Sequence, residues 1–421
     1  MKIFMLAEYF HPFAHGGSEW SVYYLAQALI QQGHKVIVLS PNYGTKTREV
    51  WEGLTISRFW FPLKIDPQQP KSLSPFWINN LLFFGLVVIN IIRLLKTEEI
   101  DVIHVQSKSM LPGAILVKWL TGTPVVVTLR DYFLLCPYGA CLTKDRNYRS
   151  CDVKYLLTKE LPEYYKDYVI NPIWWKKAFH FMAAVNARIT SFVLRWFLKF
   201  ADRVICISLK EQLIFEQNGI TNTRMIYNLF SEPKAASRRT NEQNILFVGR
   251  LTPGKGFDLF LEACRGLTSE KTLRIQIIGD GFLKNLMTSQ KDKHRQIILL
   301  GQIPHAQTLE YLAQAQVVVV PSRWEEPFGR TALEALMLGV PVVVTNRGGL
   351  PEIVTDQRTG YIVEPTISDL KRAIGLALKH NGVLRKQILV DMPKLSHIFY
   401  TRPLLQHVSL YKELCYPKSN Q

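Results

Sequence analysis

Short runs of apolar, often β-branched residues recur along this 421-residue chain, each followed by a stretch with helical periodicity. Such alternation commits a chain to parallel α/β units, because neighbouring parallel strands need a crossover, usually a helix, between them. In the first half the strand candidates are Lys2–Ala7, Lys35–Ser40, Asp101–Gln106, Val125–Leu129, Arg203–Ile207 and Arg224–Tyr227. The helical stretch Ser18–Gln32 separates the first two and ends at Gly33. In the second half they are Asn244–Gly249, Leu273–Gly279, Ile297–Gly301, Val317–Pro321, Val340–Thr345 and Gly360–Val363. Helices over Asp258–Gly266, His305–Ala315 and Arg330–Leu338 fill the gaps.

The two series are separated by Ser231–Asn244, SEPKAASRRTNEQN, which is polar and lacks apolar periodicity. It reads as a linker. The expected organisation is a first domain over 1–230, a linker over 231–244 and a second domain over 245–395. A last helix, about 396–421, is expected to pack back on the first domain. The fold class is therefore α/β, with two Rossmann-like domains facing a cleft. Ligands of such open sheets lie outside the carboxyl ends of the strands.

Charge limits the partners. Residues 1–205 hold 24 Lys/Arg against 15 Asp/Glu, and residues 206–421 hold 27 against 19, so the net charge of +17 is spread over both halves. A diffuse positive field attracts polyanions such as nucleotide diphosphates and anionic lipid surfaces. No zinc finger or RNA-binding signature is seen, so nucleic acid is not expected as a partner. MKIFMLAEYF reads as a strand entering a loop, not as a signal peptide. With six irregularly spaced cysteines, this points to reduced thiols and a cytoplasmic protein, with a peripheral position at the inner membrane face as the alternative. The apolar run Phe76–Leu95 is broken by Asn79, Asn80 and Asn90, so it reads as a buried or membrane-lying helix and not a span. Residues 153–200 are too long for a simple connection and are crowded with aromatic and basic side chains. They suit either a membrane interface or a helical insertion packed on the first domain.

The sharpest stretch for chemistry is Ser322–Val354, SRWEEPFGRTALEALMLGVPVVVTNRGGLPEIV. Glu326 sits in the loop after a strand, and a helix begins near Arg330. Backbone N–H groups of Gly329, Arg330 and Thr331 would point out of that helix start, where hydrogen bonds and the helix dipole favour a phosphate. Glu334, one turn in, can accept two hydroxyl hydrogens of a ribose, and Glu326 can do the same for a hexose. Exposed carboxylates are common, so the pair means little without its context.

That context, EPFGRTALEALMLGVPVV, closely resembles the E-x7-E donor motif of glycosyltransferase family 4. The resemblance extends over nearly the whole chain and is stronger after residue 244. It implies the two-domain GT-B architecture and transfer of a hexose-type sugar, with retention, from a nucleotide diphosphate donor to a glycan or lipid-linked acceptor. Glu326 would contact the donor sugar and Glu334 the ribose, with Phe328 beside them. ILFVGRLTPGKGFDLFLEA resembles the family's first unit of the second domain, and its Arg250 and Lys255 can neutralise a departing diphosphate. IIGDG, with Gly279, and LLGQIP, with Gln302 and Ile303, resemble the loops that wall the base. Gly348-Gly349 read either as closing the site or as a plain helix-entry turn.

In the first half, HPFAHGGSEW holds Gly16-Gly17, whose amides can approach a phosphate; the family carries a Gly-Gly here that touches the diphosphate. PVVVTLRDYFLLCPYG resembles a stretch that usually reads T-x-H-D-Y, but Arg130 stands in the histidine's place, followed by Asp131. Arginine cannot act as a base, yet its fork can hold the donor phosphate or grip an anionic acceptor. His104, in DVIHVQS, is a second candidate at a strand end, although a lone strand histidine is more often structural. Cys136, Cys141 and Cys151 do not have the spacing of a common zinc site. The expected reaction needs no obligatory cofactor, because the leaving phosphate takes the acceptor's proton and no D-x-D motif flanks a strand. The alternative is a catalytically weak or inactive relative that binds nucleotide sugar as a partner subunit.

Overall fold

A computed structural model describes residues 1–14, 16–67, 73, 75–139, 152–168, 174–230, 243–265, 267, 273–288 and 297–416. Among the described residues, fourteen strands form two sheets. The first sheet holds β1 (Lys2–Leu6), β2 (Lys35–Asn42), β3 (Arg48–Trp51), β4 (Leu54–Trp60), β5 (Val102–Val105), β6 (Val125–Thr128), β7 (Arg203–Cys206) and β8 (Thr223–Met225), in the order β3-β4-β2-β1-β5-β6-β7-β8. The second holds β9 (Gln243–Val248), β10 (Leu273–Ile278), β11 (Ile297–Gly301), β12 (Val317–Val320), β13 (Val342–Thr345) and β14 (Gly360–Val363), in the order β11-β10-β9-β12-β13-β14. All pairings are parallel except β3 with β4.

The second order is that of a doubly wound nucleotide-binding sheet, and it reverses between β9 and β12. The crevice beyond that reversal receives the loops carrying Arg250, Lys255 and Glu326. The valine runs of β12 and β13 are buried throughout because helices cover both faces of the sheet. Phe247, Phe257 and Phe260 interlock beneath the β9 loop at ring separations of 5.3 Å. Each such buried ring contributes about 1.5–3 kcal/mol.

The hairpin β3–β4 was not among the strands read from the sequence. Its turn is Glu52-Gly53, with φ of 49° and 79°. Two positive φ values match the right-handed twist of a two-residue hairpin. The Phe76–Leu95 run corresponds to a helix over Leu81–Thr97, capped by Asn80, whose side chain accepts from the Phe83 amide. Phe83, Val87 and Ile91 face the core, whereas Leu81, Leu82 and Ile89 are exposed.

After the second sheet, the chain passes through helix Asn381–Ser396 and returns as helix Arg402–Cys415. Leu404, Leu410 and Tyr411 of the last helix join Ile3, Met5 and Val126 in the first-domain core. Residues 231–242, which carry most of the expected linker, lie outside the described residues, as do Cys141 and Cys151.

Candidate active site

Glu326 is 5% exposed in the loop after β12. One of its oxygens, Oε1, accepts from Lys255 Nζ at 2.7 Å, Ser322 Oγ at 2.5 Å and Trp324 Nε1 at 2.7 Å. Burial by itself would raise its pKa, but the Lys255 charge and these hydrogen bonds outweigh burial and hold it below the ordinary range. The carboxylate is therefore charged at neutral pH. Burial lowers the Lys255 pKa against the pull of Glu326, and Arg250 lowers it further. Lys255 Nζ and the exposed Arg250 guanidinium lie 4.7 and 5.9 Å from the centre of the Trp324 ring. Lys255 and Glu326, assigned to separate parts of a donor, thus face each other as an ion pair.

The loop is closed from above by Gly348, at φ 57°, where a Cβ would stand 2.0 Å from the Glu326 carbonyl oxygen. Only glycine permits that approach. Gly348 N donates to Glu325 Oε2 at 2.6 Å and Gly349 N to Glu326 O at 2.7 Å. Gly348-Gly349 therefore brace this loop.

Glu334 is 4% exposed on helix Arg330–Met337. Arg330 Nε donates to its Oε1 at 2.6 Å, and His305 Nε2 stands 3.6 Å from the same oxygen. Arg330 continues across the cleft, donating through Nη1 to Gly17 O at 3.1 Å and Ser21 Oγ at 2.7 Å. A Cβ on Gly17 would lie 2.8 Å from Arg330 Cδ, so the Gly-Gly turn admits this side chain. The Trp20 and His305 rings stack at 4.5 Å beside it. A second clamp joins the domains where Glu352 accepts from the amides of Leu209 and Lys210 at 2.8 and 2.9 Å.

The other expected donor residues are arranged as follows. Gly329 precedes the helix at φ 109°, and Thr331 is half-buried in its first turn. Gly279 N donates to Gly301 O at 2.8 Å, which ties the two base-side loops together. Gln302 is exposed and Ile303 packs on the second-domain core. Phe328 is placed beside that helix start. It is 3% exposed and its ring packs on Tyr227 and Phe399.

On the first-domain side, a cavity of about 220 Å³ is lined by Glu8, Glu19, Gln106, Lys108, Arg130 and Asp131, among others. Gly16, in extended backbone, leads into the helix Gly17–Gln31. Lys108 pairs with Asp131, whose other oxygen accepts from the Phe133 amide at 2.9 Å. Arg130 donates through Nη1 to Asn228 Oδ1 at 2.8 Å and through Nη2 to Gln106 Oε1. Both ends of its fork are thus committed to protein acceptors, which corrects the expectation of a free fork for a bidentate anion. Burial lowers its pKa to about 10, so it stays protonated at neutral pH.

His104 is fully buried, with Nδ1 2.7 Å from Tyr411 Oη and Nε2 2.7 Å from Thr128 Oγ1. Burial and the neighbouring His407 and Arg130 push its pKa well down, so it is a neutral strut between the sheet and the last helix. Cys136 is buried. Among the described residues, no group of three or more His, Cys, Asp or Glu side chains could hold a metal ion.

Sequence reasoning missed Ser322, Trp324, Gln106, Glu19 and Glu352. The first two lie within the quoted donor stretch, four and two residues before Glu326. Glu352 lies in that stretch too and Glu19 in HPFAHGGSEW, but Glu352 acts across the domains and Gln106 between strand ends, where spacing carries no signal.

Residues 153–168 and 174–200 form an outer layer on the first domain. Leu194 and Leu198 of helix Trp174–Leu198 are fully buried, and Ser191 Oγ donates to Leu134 O at 3.0 Å. The opposite side exposes Phe179, Met182, Ile189, Phe192 and Trp196 at spacings of three, seven, three and four residues, one stripe of the helix. Trp119 and Phe200 extend it, with ring centres 6.1 and 4.8 Å from Trp196. Among the described residues, no helix is long and apolar enough to cross a membrane.

Comparison with known proteins gives a consistent picture. Residues 15–230 match the profile described as "Glycosyltransferase Family 4" and residues 230–388 that described as "Glycosyl transferases group 1". An uncharacterized glycosyltransferase of Methanocaldococcus jannaschii is 28% identical over 88% of this chain and 86% of that protein. The GPI3 subunit of phosphatidylinositol N-acetylglucosaminyltransferase from Saccharomyces cerevisiae is 24% identical over 95% of this chain and 82% of that protein. Sucrose-phosphate synthase from Thermosynechococcus elongatus shares the fold with a TM-score of 0.73 at 19% identity, covering 98% of each chain. Anabaena HepE, solved with UDP and glucose, superposes with a TM-score of 0.65 at 20% identity, covering 97% of this chain and 98% of that one.

Proposed function

Since the chain belongs to the glycosyltransferases of family 4, with a group 1 second domain, we propose that it transfers a hexose-type sugar from a nucleotide diphosphate donor, with retention, to a glycan or lipid-linked acceptor. What carries this reading is the arrangement around Glu326: a buried, charged carboxylate held by Lys255, Ser322 and Trp324, beside a helix start and beyond the reversal of the second sheet. Glu326 would orient the donor sugar through its hydroxyl hydrogens. Glu334 would take the ribose diol once Arg330 yields. Lys255, Arg250 and the amides of Gly329, Arg330 and Thr331 would stabilise the departing diphosphate, which is where charge develops. The UDP bound in the HepE structure supports a nucleotide diphosphate as donor, and the GPI3 name supports a lipid-linked acceptor.

In this reading the acceptor hydroxyl attacks from the face the diphosphate leaves, and the diphosphate oxygen takes its proton. These cations suffice, so no divalent cation is required. The exposed aromatic stripe with Lys177 and Lys199 would rest on an anionic membrane. The test is a thermal-shift screen of nucleotide sugars, since ligands of the native state raise its stability. A donor found this way is then turned over with and without EDTA, and the product anomer is read by NMR. Inversion of the anomeric carbon, or a rate abolished by EDTA, defeats the corresponding part of the proposal.

A further inference from the structure

The first-domain cavity contains a charged group whose bonding is incomplete. Glu19, in the first turn of helix Gly17–Gln31, is 9% exposed and lines the cavity. Its Oε1 accepts from Ser18 Oγ at 2.9 Å, while Oε2 is buried without a hydrogen-bond partner. A Cβ on Gly16 would stand 3.1 Å from Oε2, so glycine leaves room there that a side chain would take. Native proteins pair buried carboxylates, because stripping water from one without replacing its hydrogen bonds is costly.

Arg130 lines the same cavity, and its Nε is likewise buried without a partner. The Glu19 charge supports the Arg130 charge against burial. Of the remaining charged groups, Lys108 and Asp131 neutralise each other, and Glu8 accepts from Ser109 Oγ at 2.8 Å. The lining thus carries three carboxylates against two cations, which is the wrong balance for a phosphate or a uronic acid. The volume equals that of about seven waters at ~30 Å³ each, the scale of one sugar ring.

We propose that this cavity is the acceptor subsite and that Glu19 is its specificity-determining residue, accepting a hydroxyl hydrogen of a neutral sugar ring while Arg130 donates to a ring oxygen substituent, so that uncharged rings are selected over acidic ones. The proposal rests on the transferase reading above. It follows that Arg130, in the histidine's place, recognises hydroxyl oxygen and not an acidic group.

The experiment measures affinities of the full-length protein, held in UDP, for methyl glucoside, galactoside and mannoside and for their uronic acid counterparts, by saturation-transfer NMR titration. In at least one pair the wild type binds the neutral ring tenfold or more tightly than the acid. Glu19→Gln weakens the neutral ring about tenfold, the scale of losing one hydrogen bond to a charged group, and brings the pair within threefold of each other. The variant keeps the wild-type melting temperature shift with UDP, which separates a lost subsite from a lost fold. Glu19→Ala is the second variant, should glutamine still bind the ring. Equal affinity for neutral and acidic rings, no binding of any ring, or a preference unchanged in both variants overturns the proposal. A wild type that UDP does not stabilise defeats the donor reading instead, while the ring preference still judges Glu19.

Discussion

On the second-domain wall of the cleft, a single oxygen of Glu326 accepts from three donors, and Glu334 is held by Arg330. On the first-domain wall, Glu19 Oε2 and Arg130 Nε are buried with no partner. The first arrangement is pre-organised: its charges are oriented before any ligand arrives, so little reorganisation remains for the reaction. The second is incomplete, and a ligand that completes it gains the hydrogen bonds the protein lacks. Under the proposed function the Glu326 arrangement would hold the donor and the Glu19 cavity the acceptor, although Arg330 Nη2 and His305 Nε2 beside Glu334 are also buried without a hydrogen-bond partner.

The largest test of this contrast is on the tightly bonded side. Lys255→Ala and Arg250→Ala are each expected to slow transfer by about two to three orders of magnitude, the scale for removing a donor from a developing anion. Glu326→Ala is expected to remove most turnover and, by leaving Lys255 uncompensated, to cost about 3–5 kcal/mol of stability. Steady-state kinetics and denaturant melts read both effects. Wild-type rates in all three variants would move the diphosphate elsewhere.

Glu334→Gln should act on donor affinity and not on the chemical step. The donor KM is expected to rise about tenfold with kcat within a few fold, the cost of weakening a charge-assisted hydrogen bond. An equal loss in kcat and kcat/KM would place Glu334 at the reacting centre.

Acidity probes the strut behind the loosely bonded wall. Burial lowers the pKa of His407 to about 4 and that of His104 well below 6.5. Both pKa values are depressed on folding, so the unfolded chain binds more protons below pH 6.5. Their stabilising contribution is complete above pH 6.5 and is lost as pH falls toward 4, by about 1.4 kcal/mol per unit for each histidine. Urea melts at pH 7.5, 6 and 5 check the slope, and His407→Gln should flatten it. A slope unchanged by that substitution would show that other groups carry it.

The smallest effect on stability concerns the aromatic stripe. Phe179→Ser with Phe192→Ser removes exposed rings, so stability should change by about 0.5 kcal/mol or less at each site. Flotation with anionic vesicles should fall several fold, more so at high salt. Loss of stability without loss of flotation would mean that the stripe packs on protein.

Much of the architecture was legible before any coordinates, because a parallel strand needs an apolar run and a crossover helix, and both leave periodic traces. The runs at Val317–Val320 and Val342–Thr345 are such traces. The hairpin at Glu52-Gly53 was overlooked because β3 has only 4 residues and its Val50 is 72% exposed. Glu326 and Glu334 were legible through a motif within one loop and helix, since local spacing survives in the sequence.

By itself, then, the sequence determined two α/β units, the family and the residue types of the Glu326 loop. Tertiary structure decided which atoms those side chains bind: that Lys255 faces Glu326, that Arg330 reaches Gly17, that the Arg130 fork is committed to Asn228 and Gln106, and that Glu19 lacks a partner. These partners lie between 24 and 313 residues apart. Periodicity records only neighbours along a strand or helix, whereas a hydrogen bond depends on distance and direction in the folded chain.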